Sequence, residues 1–197
     1  MPAKIAIVIY SMHGHIAKSK AGVEGAGGAA TIYRAPETLP QEILEKMCAP
    51  AKPAYPVIAP DELIQFDGFI FGIPARFVTL TLWQAFWDTT DRLWSKGALS
   101  GKYVAVFVST ATPGGGQKST AMNMLSNFTH HGIIFVPLGY SHTFPQQTNM
   151  TEVHGSSAWG AGTFAGSDGS RDPSELELEI AGIQGSMFHK TIANVAK

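Results

Sequence analysis

Ile5-Ala6-Ile7-Val8-Ile9-Tyr10, followed at once by Ser11-Met12-His13-Gly14-His15-Ile16, is the stretch that decides the fold class. An unbroken, β-branched apolar run predicts a strand covered on both faces, which is how strands of a parallel sheet read. A helix is expected next, over residues 16–26, closed by Gly27-Gly28. At about 1.5 Å per residue it spans about 16 Å. That is barely enough to return along a strand of about 17–20 Å.

The same alternation continues outward. Residues 29–33 predict a second strand. The proline-rich residues 36–60 predict one short helix over 41–47, and Asp61-Glu62-Leu63 opens another. Phe69-Ile70-Phe71-Gly72-Ile73 reads as a third buried strand stopped by Pro74, and residues 80–91 as a helix with Trp83 and Trp87 one turn apart. A fourth strand is expected over 102–109, a glycine-rich loop over 110–117, a helix over 119–131 closed by Gly132, and a fifth strand over 133–136 stopped by Pro137. Residues 137–171 show no periodicity, and so long a segment in a compact domain signals function or an interface. A last helix opens at Pro173-Ser174-Glu175, with Asp172 as N-cap and Glu175 three residues on, and runs to about Ala196. Strands alternating with helices give an α/β, doubly wound sheet of five parallel strands, read as one domain over residues 1–197.

Composition narrows the function classes. Charged residues are 15% of the chain and net charge is −1, with no run of like charges, which argues against nucleic acid or a polybasic membrane surface as partner. The low charge content points instead to extra buried surface or a subunit interface. Cys48 is the single cysteine, so an intrachain disulfide and a cysteine metal cluster are excluded. The apolar run near the N-terminus is too short for a signal segment or a membrane span, so a cytoplasmic location is expected.

In a doubly wound sheet, ligands bind at the carboxyl ends of the strands. Three loops belong there: residues 11–15, 74–79 and 110–117. In the first, Ser11 offers a hydroxyl, Gly14 lets backbone approach closely and His15 adds a donor at a helix N-terminus, which suits a phosphate. An ordinary strand–helix turn uses the same residue types. Neither G-x-x-x-x-G-K-[ST] nor G-x-G-x-x-G occurs there. In the last, Ser109-Thr110-Ala111-Thr112-Pro113-Gly114-Gly115-Gly116-Gln117 gathers hydroxyls and backbone amides that serve a flat polar ring edge, or simply make a flexible turn. His130-His131-Gly132 reads as a helix C-terminus, or as an imidazole overlooking the crevice. Trp83, Phe86 and Trp87 suit the core, whereas Trp94 falls outside their spacing and is a candidate wall. His13 and His15 lack any supporting H-E-x-x-H or cysteine pair, so no metal is expected. No G-x-S-x-G surrounds Ser11 or Ser109.

Taken together these loops resemble the WrbA-type NAD(P)H:quinone oxidoreductases, most of all their fungal flavodoxin-like branch, which includes minor allergens. The resemblance runs through residues 10–16, 71–77, 108–117, 130–132, Val153-His154-Gly155, Trp159-Gly160-Ala161-Gly162 and Gly166-Ser167-Asp168-Gly169-Ser170-Arg171, in order over nearly the whole chain. It implies a flavodoxin-like sheet of order 2-1-3-4-5 with helices on both faces, FMN as cofactor, NAD(P)H as electron donor, a quinone as substrate, and a homotetramer or homodimer. By position, Ser11, Met12, His13, Gly14, His15 and Ile16 would hold the FMN phosphate. Ala75, Arg76 and Phe77 would line the isoalloxazine, and Ser109, Thr110, Ala111, Thr112, Pro113, Gly114 and Gly115 would wrap its other side. His131 would touch the flavin and serve as the catalytic residue, with Trp94 flanking the quinone. The family's third-strand loop usually reads Pro-Thr-Arg-Tyr/Phe-Gly-Asn, where this chain has Pro74-Ala75-Arg76-Phe77-Val78-Thr79, and Ala111 and Lys118 stand for a usual Gly and Glu. These departures motivate the alternative of a flavin-poor paralogue acting as a binding or scaffold protein.

Overall fold

A computed structural model describes residues 3–10, 24, 29–46, 52–75 and 81–195. The strands are β1 (Lys4–Ile9), β2 (Ala29–Arg34), β3 (Gly68–Pro74), β4 (Tyr103–Thr110), β5 (Ile134–Phe135) and β6 (Gly162–Phe164). The α-helices that lie wholly among the described residues are α1 (Gln41–Lys46), α2 (Thr81–Asp88), α3 (Asp91–Ser95), α4 (Gln117–His130), α5 (Phe144–Gln147) and α6 (Glu175–Val195), and Pro60–Gln65 forms a 3₁₀ helix. Strand order is β2-β1-β3-β4-β5, all parallel, with β6 also on β4. The expected first helix, over 16–26, lies outside the described residues apart from Glu24, which is helical. No helix among the described residues is long and apolar enough to cross a membrane.

The apolar runs behave as two-faced strands. Along β1, Ile5, Ile7 and Ile9 join Ile70, Phe107, Ile180, Phe188 and Ile192 on one side of the sheet. Ala6 and Val8 join Phe69, Phe71, Val106, Trp83, Trp87 and Phe128 on the other. Successive side chains of a strand point to opposite faces, so one run feeds two cores. Phe71 anchors the second core, 5.1 Å from Trp83, 5.5 Å from Trp87 and 5.7 Å from Phe128 between ring centroids. Such edge-on and offset contacts favour aromatic pairs beyond their buried area.

Three expectations change in the structure. The helix expected over 80–91 is two helices. Thr89 Oγ1 donates to Phe86 O and Thr90 Oγ1 to Trp87 O, both at 2.6 Å, and these hydroxyls end the first helix by capturing its carbonyls. The last helix is capped by Ser174, not Asp172: Glu177 N donates to Ser174 Oγ at 3.3 Å and Ser174 N to Glu177 Oε2 at 2.9 Å, a reciprocal capping box two residues further in than expected.

The third change concerns the sheet edge. The fifth strand position is shared by two segments: β5 pairs with Tyr103 and Val104, and β6 with Val108, Ser109 and Thr110. Between them the Val106 carbonyl would lack a partner. The buried Gln184 of α6 fills the gap, its Nε2 donating to Val106 O and its Oε1 accepting from Ala161 N, both at 2.9 Å. A buried peptide group must be paired, and here a side-chain amide stands in for the missing one. The aperiodic residues 137–171 therefore hold an excursion, up to residue 161, between two halves of one strand position, and then the second half itself.

Candidate functional site

The chain leaves β1 towards β2 on one side and β3 lies on the other, so the topological switch point is at the carboxyl end of β1. Tyr10 stands there, its N–H donating to Gly72 O at 3.2 Å and its hydroxyl to the Glu37 carboxylate. Glu37 also accepts from Lys52 and from the amides of Thr38 and Leu39. Burial works to raise its pKa, but Lys52 and those amides outweigh it and hold the carboxyl below its ordinary value. Ala75 continues the β3–β4 pairing by donating to Ser109 O at 2.7 Å, so these two candidate residues meet at the crevice. Ser11, Met12, His13, Gly14, His15, Ile16, Arg76 and Phe77 lie outside the described residues.

The loop after β4 has a definite shape. Three of its carbonyls are taken: Thr110 O accepts from Ala165 N at 2.8 Å, Ala111 O from Gly166 N at 3.1 Å, and Thr112 O from both Thr110 Oγ1 and Gly115 N at 2.9 Å. The amides of Ala111, Thr112 and Gly114 have no acceptor among the described residues, and all three residues are exposed. Pro113 contributes no N–H. The outcome is a neutral array of N–H donors at the carboxyl edge. That donor set matches the carbonyl and nitrogen edge of a planar heterocycle such as the flavin ring.

What holds the loop's support in place is a residue that sequence reading passed over. Glu177, 2% exposed, accepts from Gly155 N at 2.8 Å, Thr163 Oγ1 at 2.8 Å, Phe164 N at 3.3 Å, Ser174 N at 2.9 Å and Arg171 Nη1 at 2.9 Å. Burial works to raise its pKa, yet Arg171 and the surrounding N–H and O–H donors hold it below the ordinary carboxylate value. Arg171 also donates to Phe164 O at 2.6 Å and Val153 O at 3.2 Å. The carboxylate thus joins α6, β6 and residues 153–155, and Ala165 and Gly166, just beyond β6, carry the hydrogen bonds to the loop. The only sequence signal was the Ser174-x-x-Glu177 spacing of a capping box.

Trp94 and His131 are not at this edge. From the loop, α4 runs back over 14 residues, about 21 Å at 1.5 Å each, and His131 caps its far end. There Gly132 N donates to Thr129 O at 3.0 Å and Ile133 N to Phe128 O at 2.9 Å, while Gly132 takes φ 69°. This is the glycine-closed helix end that the sequence suggested. Gly132 O accepts from Gly101 N just before β4, which places His131 at the amino edge. Trp94, on α3 at the same edge, is 56% exposed.

The protonation of His131 follows from its partners. The one hydroxyl proton of Thr90 goes to Trp87 O, so Thr90 Oγ1 accepts from His131 Nε2 at 2.9 Å. Burial, then repulsion from His130, lowers its pKa against the pull of Asp91. The ring is therefore neutral near pH 7, and its buried Nδ1 is an acceptor without a partner among the described residues.

Fold and crevice together define a flavodoxin-like α/β protein. No protein-family model matches the chain. Among solved structures it resembles a flavodoxin, WrbA-like protein from Agrobacterium tumefaciens, with TM-score 0.64 and 19% identity, covering 98% of each chain, a likeness of fold. Among characterised sequences it is 54% identical over 198 residues to NAD(P)H quinone oxidoreductase PST3 of Candida albicans, covering 98% of this chain and 100% of that one. It is 51% identical over 200 residues to Minor allergen Alt a 7 of Alternaria alternata, covering 98% of each. The chain belongs to this flavodoxin-like family of fungal NAD(P)H quinone oxidoreductases and minor allergens.

Proposed function

We propose that this chain is an FMN-dependent NAD(P)H:quinone oxidoreductase that reduces quinones to hydroquinones by two-electron, ping-pong turnover. The observation that carries the reading is the row of unpaired amides of Ala111, Thr112 and Gly114 on a loop tied down at the carboxyl edge of the sheet. Bound FMN supplies the hydride chemistry between NAD(P)H and quinone. The protein's part is to bind and orient. Residues 11–16 hold the phosphate. Ala75, Arg76 and Phe77 would line the ring on one side, and residues 109–115 on the other. A single place for nicotinamide and quinone would make the kinetics ping-pong.

Trp94 and His131 stand about a helix length from the flavin loop, so within one chain they cannot flank the ring. They would take those roles only from a neighbouring copy, in a homodimer or homotetramer. Within the chain His131 Nε2 is held on Thr90 Oγ1 and Nδ1 is buried, so the ring reaches a quinone oxygen only by turning out of that pocket. A cytoplasmic setting, where NAD(P)H is at hand, fits the reading, with residues 1–197 as one domain.

Titration of the apoprotein with FMN, followed by absorbance, and NADH or NADPH oxidation with benzoquinone test the proposal. Saturable flavin uptake and quinone-dependent oxidation are expected. A protein that takes up no FMN at saturating cofactor would leave the second reading, a flavin-poor binding or scaffold protein, which the missing hydroxyl at Ala75 favours.

A further inference from the structure

We propose that Gln117, the first residue of α4, is a positioning residue that holds the 110–116 loop in the shape that receives the flavin. The proposal rests on the FMN reading above. Gln117 is absent from the candidate site residues and acts through its neighbours.

Its carboxamide joins three segments. Nε2 donates to Thr163 O of β6 at 3.0 Å and lies 3.4 Å from Thr110 Oγ1. Oε1 accepts from Ser156 N at 3.1 Å. The proton of Thr110 Oγ1 goes to Thr112 O, so that oxygen can only accept from Gln117. The side chain thus ties the root of the loop to β6 and to the 156 turn at once.

Two further observations indicate that the neighbourhood is built around this amide. A Cβ at Gly162 would stand 2.5 Å from Gln117 Oε1, so a side chain there would push the amide off its partners. Ser156, whose N–H meets that same oxygen, is the one non-glycine with positive φ among the described residues, at 116°. A residue held in so sparsely populated a conformation persists only where its surroundings impose it. One acceptor and one donor on a single short stem are required here. Glutamate has the acceptor without the donor, and leucine has neither.

The test uses the full chain in its wild-type, Gln117→Leu and Gln117→Glu forms. The readouts are FMN affinity by fluorescence quenching, apoprotein melting temperature, and amide exchange of the apoprotein at Gly115, Ala165 and Gly166. Gln117→Leu is expected to weaken FMN binding about ten-fold, the order of one or two lost neutral hydrogen bonds. It should speed exchange at those three amides while the melting temperature moves by only about 3 °C. Gln117→Glu should bind weakly at about pH 8. Its affinity relative to wild type should recover as pH falls to about 4, near the ordinary glutamate pKa, where the carboxyl takes up a proton and donates to Thr163 O. That recovery also decides the matter should the leucine variant fail to fold.

Affinity within about two-fold of wild type with unchanged exchange would overturn the assignment. So would a relative affinity of Gln117→Glu that does not respond to pH. Wild-type protein without FMN affinity would overturn the flavin reading itself, and the exchange comparison would still decide whether Gln117 holds the loop.

Discussion

Replacing Glu177 by Ala should be among the most damaging single changes in this protein. The carboxylate satisfies five donors, and three of them, the amides of Gly155 and Phe164 and the hydroxyl of Thr163, are fully inside. Each buried donor left without a partner costs about 1–3 kcal/mol. Ser174 and Arg171 are less costly, because both are partly exposed and can turn to water; the Arg171 side chain is 32% exposed. Taking the low end for the three enclosed donors gives about 3 kcal/mol, which meets the range of about 3–5 kcal/mol for removing one partner of a buried ion pair. Urea unfolding followed by far-ultraviolet circular dichroism would read this as a lower midpoint with an unchanged slope. Gln at the same position keeps an acceptor for Gly155 and Phe164 but turns N–H groups towards Thr163, Ser174 and Arg171, so about 2 kcal/mol is expected. A loss below about 1 kcal/mol for Ala would refute the reasoning. The pH dependence supplies a second check. The folded pKa of Glu177 lies below its ordinary value of 4.5, so its contribution is complete above that value and is lost as pH falls through the folded pKa. Acid titration of stability should therefore be shallower in Glu177→Gln than in wild type over that range.

Other consequences follow from the same geometry. Gln184→Leu leaves Val106 O and Ala161 N unpaired where the fifth strand position is broken, and should cost about 2–4 kcal/mol by urea unfolding. Ser156→Gly relieves the positive φ and removes a buried hydroxyl without a partner, so it should stabilise by about 1 kcal/mol, whereas a destabilisation would mean that the turn is unstrained. His131→Ala should lower quinone turnover while FMN affinity stays near wild type, and equal turnover in the two proteins would remove His131 from the reaction.

The class of fold was legible because burial on both faces leaves a mark in local sequence. The runs at Ile5–Ile9 and Phe69–Ile73 admit few other readings, and the alternation of strands with helices follows from them. Gly132 was legible for the same kind of reason, since a helix end that needs a left-handed residue writes glycine at one position. The loops after β3 and β4 could be placed at the carboxyl edge of the sheet from order along the chain.

Other features depended on contacts between residues far apart in sequence. Glu177 looks like any acid in the first turn of a surface helix, and it becomes a buried anchor only when β6, Gly155 and Arg171 close over it. Gln184 and Gln117 carry no local signature, because the groups they satisfy are 78 and up to 46 residues away. His131 and Trp94 read as crevice residues by order along the chain, yet α4 carries His131 to the opposite edge of the sheet. Periodicity reports which face of an element is buried. Which polar group meets which, and at which end of the sheet, is set only when the elements pack, since hydrogen bonds act over a few ångströms and the chain bringing the partners together can take any path between them.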